Sequence, residues 1–213
     1  MTQGMIGMRT VRQLFTLAAL AGVIAATASC GDVVRGDHAS AFILIDTLTA
    51  SAGGPTVGTP GTILNSDVLA LITTPAPCTT ASPCPTIFND VGTVTLRLAM
   101  KNYLVSPSFN NEVTITQYHV SYRRADGRNT QGVDVPYAFD GAATGTVPAT
   151  GTISIGFELV RAAAKAEAPL RLLVNSPTIL SVIADVTFYG RDRVGNDVSV
   201  TGSISIEFAN FGG

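Results

Sequence analysis

The sequence contains no tryptophan, and its only histidines are His38 and His119 among 213 residues. Charged side chains make up 13% of the chain, about half the share usual for a globular protein. These shortages thin the catalytic inventory. Catalysis needs a nucleophile with a base and an orienting group, or paired carboxylates, or a metal. His119 falls in mid-strand, opposite in phase to Tyr118 and Val120, and reads as a solvent-facing or satisfied strand residue. There is no Gly-x-Ser-x-Gly elbow, no His-x-x-x-His pair and no phosphate-binding glycine loop. Acidic residues are present, but the order of residues does not place two of them together. No enzyme, cofactor or metal site is expected. An enzyme would require a deep pocket with two carboxylates, or a carboxylate beside His119.

Acidic residues are absent before Asp32, while Arg9 and Arg12 give the start a positive charge. An apolar run from Leu14 to Ala28 follows, and then Ser29, Cys30 and Gly31. This is the layout of a secretory signal peptide, and the run falls short of the roughly 20 residues needed to span a bilayer. Thr27-Ala28-Ser29-Cys30 resembles the lipobox of bacterial lipoproteins, with Thr27 where that family usually has leucine. The resemblance implies that Cys30 becomes an acylated N-terminus; ordinary cleavage near Ala28 or Ser29 is the alternative, leaving a free thiol. Removing residues 1–29 takes away Arg9 and Arg12 from 13 basic and 15 acidic residues, so the mature chain carries about −4. That balance argues against nucleic acid, which requires clustered Lys and Arg. Residues 30–40 read as the lipidated cysteine and its tether, and 41–211 as a single folded domain.

The other two cysteines, Cys78 and Cys84, are separated by five residues in a proline-rich stretch. In an oxidising compartment they read as a disulfide closing a local loop, contributing about 2 kcal/mol on loop entropy. The alternative, a metal site, lacks a nearby histidine and the remaining ligands of a zinc shell.

What is abundant is period-two alternation, the pattern of half-buried strands. Val94, Leu96, Leu98 and Met100 share a face in 93–101. Ile153, Ile155, Phe157 and Leu159 do so in 152–159, and Val198, Val200, Ile204, Ile206 and Phe208 in 197–208. Stretches 41–49, 67–73 and 179–189 are more continuously apolar and suit central strands covered on both faces. Segment 112–124 changes phase between Ile115 and Tyr118, which predicts a bulge near Thr116. Turns are expected at Gly53-Gly54-Pro55, Pro60-Gly61, Asp126-Gly127, Asp140-Gly141 and Gly195-Asn196. Only 160–168 reads as helix, with Pro169 as its stop. Seven or so strands with one short helix predict an all-β, antiparallel two-sheet sandwich.

Ile115-Thr-Gln-Tyr118-His-Val120-Ser-Tyr122-Arg123-Arg-Ala-Asp126-Gly127 resembles the third strand of fibronectin type III domains. Val186-Thr-Phe188-Tyr-Gly-Arg-Asp192-Arg-Val-Gly195-Asn196-Asp-Val198 resembles that family's last hairpin and the Asp-x-x-Gly-Asn turns of bacterial immunoglobulin-like domains. The core tryptophan of the family is missing, and its tyrosine-corner position falls on Ala184. Together the pieces resemble bacterial lipoproteins with one immunoglobulin-like domain, a family that implies no activity.

In a fibronectin-like sandwich the loop between strands two and three shares an end with the last hairpin. The resemblance therefore implies that Tyr103, Phe109, Asn110 and Asn111 lie near Arg191, Asp192, Arg193 and Asn196, while Arg123, Arg124 and Arg128 sit at the other end. Those loops could form a recognition surface, or Asn-Asn and Gly-Asn could simply be good turn formers. The absence of tryptophan weakens a sugar-stacking site. Asp192, Asn196 and Asp197 could offer oxygens to calcium, or hold a hydrogen-bonded turn. Exposed sheet edges could accept a partner strand. The expectation is a non-enzymatic, lipid-anchored protein of the bacterial cell envelope that binds or scaffolds an envelope protein or glycan. A small envelope hydrolase or carbohydrate-processing accessory is the alternative, and a calcium-stabilised adhesin module the third.

Overall fold

Every second residue of strand β5 (Asp90–Met100) turns inward, and from Asp90 to Leu98 those residues are buried while Val91, Thr93 and Arg97 are exposed. The computed structural model describes residues 38–211, so the expected signal peptide and the lipidation expected at Cys30 lie outside the described residues. Strand β5 pairs antiparallel with β1 (Ala41–Ser51) and β8 (Thr152–Val160) to form a three-stranded sheet in the order β1-β5-β8. A second sheet contains β2 (Ile63–Asp67), β6 (Val113–Arg123), β7 (Phe139–Val147), β9 (Leu180–Asp192) and β10 (Asp197–Ala209), in the order β2-β10-β9-β6-β7. A small hairpin of β3 (Ala70–Ile72) and β4 (Cys84–Thr86) carries the Cys78–Cys84 disulfide. The result is a mostly β, sandwich-like fold, with the core between the two larger sheets.

Aromatic rings meet in the core between the two larger sheets. Phe157 of β8 meets Phe188 of β9 edge-on at 5.2 Å and Tyr118 of β6 at 5.3 Å. Tyr118 also stands edge-on to Phe139 at 6.2 Å. Such T-shaped pairs add about 0.5–1.5 kcal/mol beyond the area they bury. Two phenols of β6 also bond across the sandwich: the Tyr122 hydroxyl donates to the Leu159 carbonyl at 2.7 Å, and the Tyr118 hydroxyl accepts the Glu158 N–H at 3.2 Å. The β5–β8 register skips Leu159 at a bulge, so Leu159 and Val160 are both buried.

A buried ion pair joins both sheets to the only α-helical turn among the described residues, α1 (Ala162–Lys165). Lys165 Nζ lies 2.9 and 3.0 Å from the two carboxylate oxygens of Asp90, and neither side chain is exposed beyond 1%. Ser66 Oγ of β2 donates to the same carboxylate at 2.5 Å, and the Gly53 N–H at 2.9 Å. Each Asp90 oxygen thus accepts two bonds. That saturation offsets the cost of holding a charge away from water. Asn89 completes the attachment, its Oδ1 accepting the Ala162 N–H at 2.8 Å. Gly53 approaches so closely that a Cβ there would stand 1.9 Å from the Asn89 carbonyl oxygen.

Several expectations need correction. The pairing is mixed rather than purely antiparallel, because β2 runs parallel to β10. The helix expected over 160–168 is a single turn, Ala162–Lys165; beyond Pro169 the chain winds on as a 3-10 segment, Leu170–Asn175. Stretch 41–49 lies in an edge strand, and 67–73 divides between the end of β2 and β3. Of the three apolar stretches, only 179–189 is central, in β9. Asp140-Gly141 is no turn but part of β7, whose small residues hide its alternation. The bulge at Thr116 is present, between Ile115 and Gln117 against both neighbouring strands.

Two outcomes are expected in urea unfolding. Lys165→Met strands a buried carboxylate and should cost about 3–5 kcal/mol. Adding Asp90→Asn, which keeps partners for Gly53 and Ser66, should recover most of that loss; equal losses in the single and double variants would refute the pairing as the cause. The Tyr122 phenol is held well above its ordinary pKa of 10.0, by burial first and by the Asp90 charge second. Since the unfolded chain ionises near the ordinary value, this contribution is complete below about pH 10 and declines above it by about 1.4 kcal/mol per pH unit. Unfolding midpoints measured from pH 8 to 11 should show that slope, and Tyr122→Phe should flatten it.

Candidate functional site

At one end of the sandwich, antiparallel register brings three chain segments together. Ala41 pairs with Met100, Val113 pairs with Asp192, and Asp197 pairs with Arg191. The start of the domain, the 101–112 loop and the 193–196 turn are therefore neighbours. The Lys101 N–H donates to the Ser40 carbonyl at 2.9 Å, which fixes where the chain enters.

Of the residues singled out in these loops, Phe109 and Arg193 are in direct contact. The guanidinium lies over the ring, 3.8 Å from its centroid, while Nε and Nη2 donate to Glu112 Oε2 at 2.9 and 2.7 Å. A cation–π contact at an exposed site contributes about 0.5–1 kcal/mol. Its greater effect is to join two loops that local sequence leaves independent. Tyr103 is 89% exposed and Phe109 62%; Asn110 and Arg191 also face solvent, with Arg191 Nε on Asp197 at 2.6 Å.

Asn111, Asp192 and Asn196 hold the loops instead. Asn111 is buried; its Oδ1 accepts from the Ser108 N–H and hydroxyl at 2.8 and 2.9 Å, and its Nδ2 donates to Ser40 Oγ at 2.7 Å. Asp192 Oδ1 accepts the N–H groups of Val194 and Asn196, and its Oδ2 accepts from Asn196 Nδ2 at 2.7 Å. Gly195, at φ +93°, supplies the left-handed residue that closes the turn. Both Asp192 oxygens are thus engaged by N–H donors that close the hairpin turn, and Asp197 faces Arg191. Among the described residues no three His, Cys, Asp or Glu side chains group as metal ligands would.

Leu104, Val105 and Val194 were not anticipated here. They are 77%, 49% and 69% exposed; Leu104 and Val105 follow Tyr103 in the chain, and Val194 follows Arg193. The available signal was apolar residues in segments without strand alternation.

The opposite end carries the 124–138 loop. Arg124 and Arg128 converge on Asp126, each 2.7–2.8 Å from Oδ2, and Arg123 reaches Asp185. The two guanidinium hydrogen bonds hold the Asp126 carboxyl well below the usual carboxylate range. A shallow groove of about 220 Å³ lies nearby, lined by Tyr137, Phe139, Arg161, Ala164 and Glu167 among others. Arg161 covers the Phe139 ring at 3.8 Å and donates to the Asp140 carbonyl. Glu167 is the groove's one carboxylate.

A carboxylate does stand beside His119: Asp140 Oδ1 is 2.8 Å from Nδ1. The pair joins β6 and β7 in direct register on an open sheet face, with the Asp140 side chain 78% exposed. Thr187 flanks His119 on β9, but its hydroxyl pairs with Thr201. Neither His119 nor Asp140 lines the groove. Water screens such a pair, and cross-strand pairing accounts for it.

No protein-family model matches the chain, and no curated protein matches it.

Because the turn is closed by N–H donors, a calcium chelator is expected to leave the melting temperature unchanged. Asp192→Ala, which frees three N–H groups, should lower stability by about 1–3 kcal/mol. A chelator-induced drop in melting temperature would instead mean that the carboxylate holds a cation.

Proposed function

We propose that this chain is a lipid-anchored protein of the bacterial cell envelope, and that its immunoglobulin-like sandwich binds or scaffolds another envelope component without catalysis. The observation that carries this reading is the Arg193–Phe109 stack, which joins two loops into one exposed surface with Tyr103, Leu104 and Val194. Rigid strands on both sides hold that surface, the usual arrangement for recognition loops. The strand order supports the immunoglobulin-like part. With β1, β5 and β8 as strands A, B and E, and β6, β9 and β10 as C, F and G, the two sheets match that grouping, with β2 and β7 as additions at the edges. The anchor rests on the resemblance of Thr27-Ala28-Ser29-Cys30 to a lipobox, behind a basic and apolar leader.

The His119–Asp140 pair favours a second reading, a small envelope hydrolase. A general base needs an adjoining nucleophile and protection from water, and an open sheet face provides little of either. Binding is therefore the stronger reading.

Mass spectrometry of the mature chain is expected to find Cys30 as an acylated N-terminus, and Cys30→Ala should move the protein out of the membrane fraction. A photoreactive residue at 109 should form adducts with an envelope component, while one at 137 should not. An unmodified Cys30 thiol would leave an exported sandwich without an anchor. Hydrolysis of an ester or glycoside panel that is lost in His119→Ala would favour the second reading.

A further inference from the structure

The same end of the sandwich that receives the tether carries the exposed apolar loops, and this juxtaposition suggests what they bind. Ser40 bonds to both ends of the 101–112 loop, through its carbonyl to the Lys101 N–H and through its hydroxyl to Asn111. That loop exposes Tyr103, Leu104, Val105 and Phe109, and the adjoining turn exposes Val194. We infer that this tip docks on the membrane, with Tyr103, Leu104 and Phe109 entering the interface of the bilayer that holds the acyl chains. The inference rests on the proposed anchor at Cys30 and names the partner of the surface described above as lipid.

Reach decides between the two ends, since the far end also exposes apolar side chains such as Val133, Tyr137 and Leu172. The ten-residue step from Cys30 to Ser40 spans at most about 35 Å when fully extended. The 13 residues of β9 make the sandwich about 40 Å long at roughly 3.3 Å per residue. A lipid at Cys30 therefore keeps the entry end near the headgroups, whereas the far end cannot reach them with the domain upright. Tyrosine suits this depth because its ring is apolar and its hydroxyl stays wet.

Charge is not the driving force. Lys101, Arg191 and Arg193 at the tip are balanced by Glu112, Asp192 and Asp197, with Arg193 on Glu112 and Arg191 on Asp197. Docking should consequently occur on zwitterionic lipid and persist at high salt, unlike attachment through a basic patch.

The absence of tryptophan makes the test direct, because a single introduced indole is the only one in the protein. Full-length acylated protein carrying Tyr103→Trp or Tyr137→Trp would be reconstituted on phosphatidylcholine vesicles with brominated acyl chains. Vesicle flotation reports the anchor, and indole emission reports the depth of the tip. The Tyr103→Trp protein is expected to float, shift its emission to the blue and lose much of its intensity, equally in low and high salt. The Tyr137→Trp protein should float with unchanged emission. Leu104→Asp added to Tyr103→Trp should restore the emission without preventing flotation; both side chains are exposed, so the fold is retained. A protein that floats with unquenched Tyr103→Trp emission overturns the docking and leaves the anchor standing. A protein that does not float overturns the anchor and the docking with it. A blue shift that requires an added envelope protein or glycan, and not lipid alone, assigns the tip to that partner and overturns the inference.

Discussion

The carboxylate of Asp90 is the point on which the sandwich turns. It lies on β5 of the three-stranded sheet, accepts Ser66 from the five-stranded sheet, receives the Gly53 N–H from the loop after β1, and holds Lys165 of α1. Four segments far apart in sequence therefore share one buried anion. An ion pair of this kind adds little net stability over a well-packed apolar substitute. Its effect is directional: hydrophobic burial alone accepts many sheet offsets, but a carboxylate held in four contacts by three donors accepts one. The short β2 strand, parallel to β10 and at the sheet edge, has few other contacts to place it.

Around this point the core follows from aromatic geometry. Tyr118 and Tyr122 stand on the same face of β6, beyond the Thr116 bulge, and both bond to the backbone of β8. The bulge is what gives them that face. Were the same residues to run as a regular strand with Thr116 paired, the inward phase of Val113 and Ile115 would carry both phenols to the solvent side. The rings of Phe157 and Phe188 then meet Tyr118 from the two sheets. A core without tryptophan is thus closed by six smaller rings, with Phe139 and Phe208 beside these four, by two hydroxyl bonds and by one ion pair.

With the sheets held so, the two ends differ in character. One end receives the chain at Ser40 and presents apolar loops braced by Asn111, Asp192 and the Arg193–Phe109 stack. The other presents arginines gathered on Asp126 and a shallow groove beneath Arg161. The bracing residues are polar because loops must satisfy backbone groups locally, and that is why side chains resembling a recognition set are partly consumed in holding it. Asn111 and Asp192 read alike with Asn110 and Arg193 in the sequence. Burial separates them into supports and surface.

Much of the strand layer was legible from residue order. Alternation in 93–101, 152–159 and 197–208 is a local property of a sheet with one wet face, and the phase change at Thr116 is visible wherever the inward set shifts parity. The Cys78–Cys84 bridge was equally readable, since seven residues bring two thiols together in a turn-rich stretch. Strand β7 escaped because Gly141, Ala142, Ala143 and Gly145 carry too little apolar area to show a period. The edge position of β1 escaped because a continuous apolar run looks the same at the edge as at the centre. What residue order could not supply was any pairing across long separations: Lys165 with Asp90, Tyr122 with Leu159, Arg193 with Phe109, His119 with Asp140. Sequence by itself determined the strand class, the turn chemistry, the local disulfide and the low charge, because each depends on near neighbours along the chain. Only the tertiary structure decided which charge is buried, which loop residues face water and which end receives the chain at Ser40. Those outcomes depend on distances through space that chain spacing does not encode.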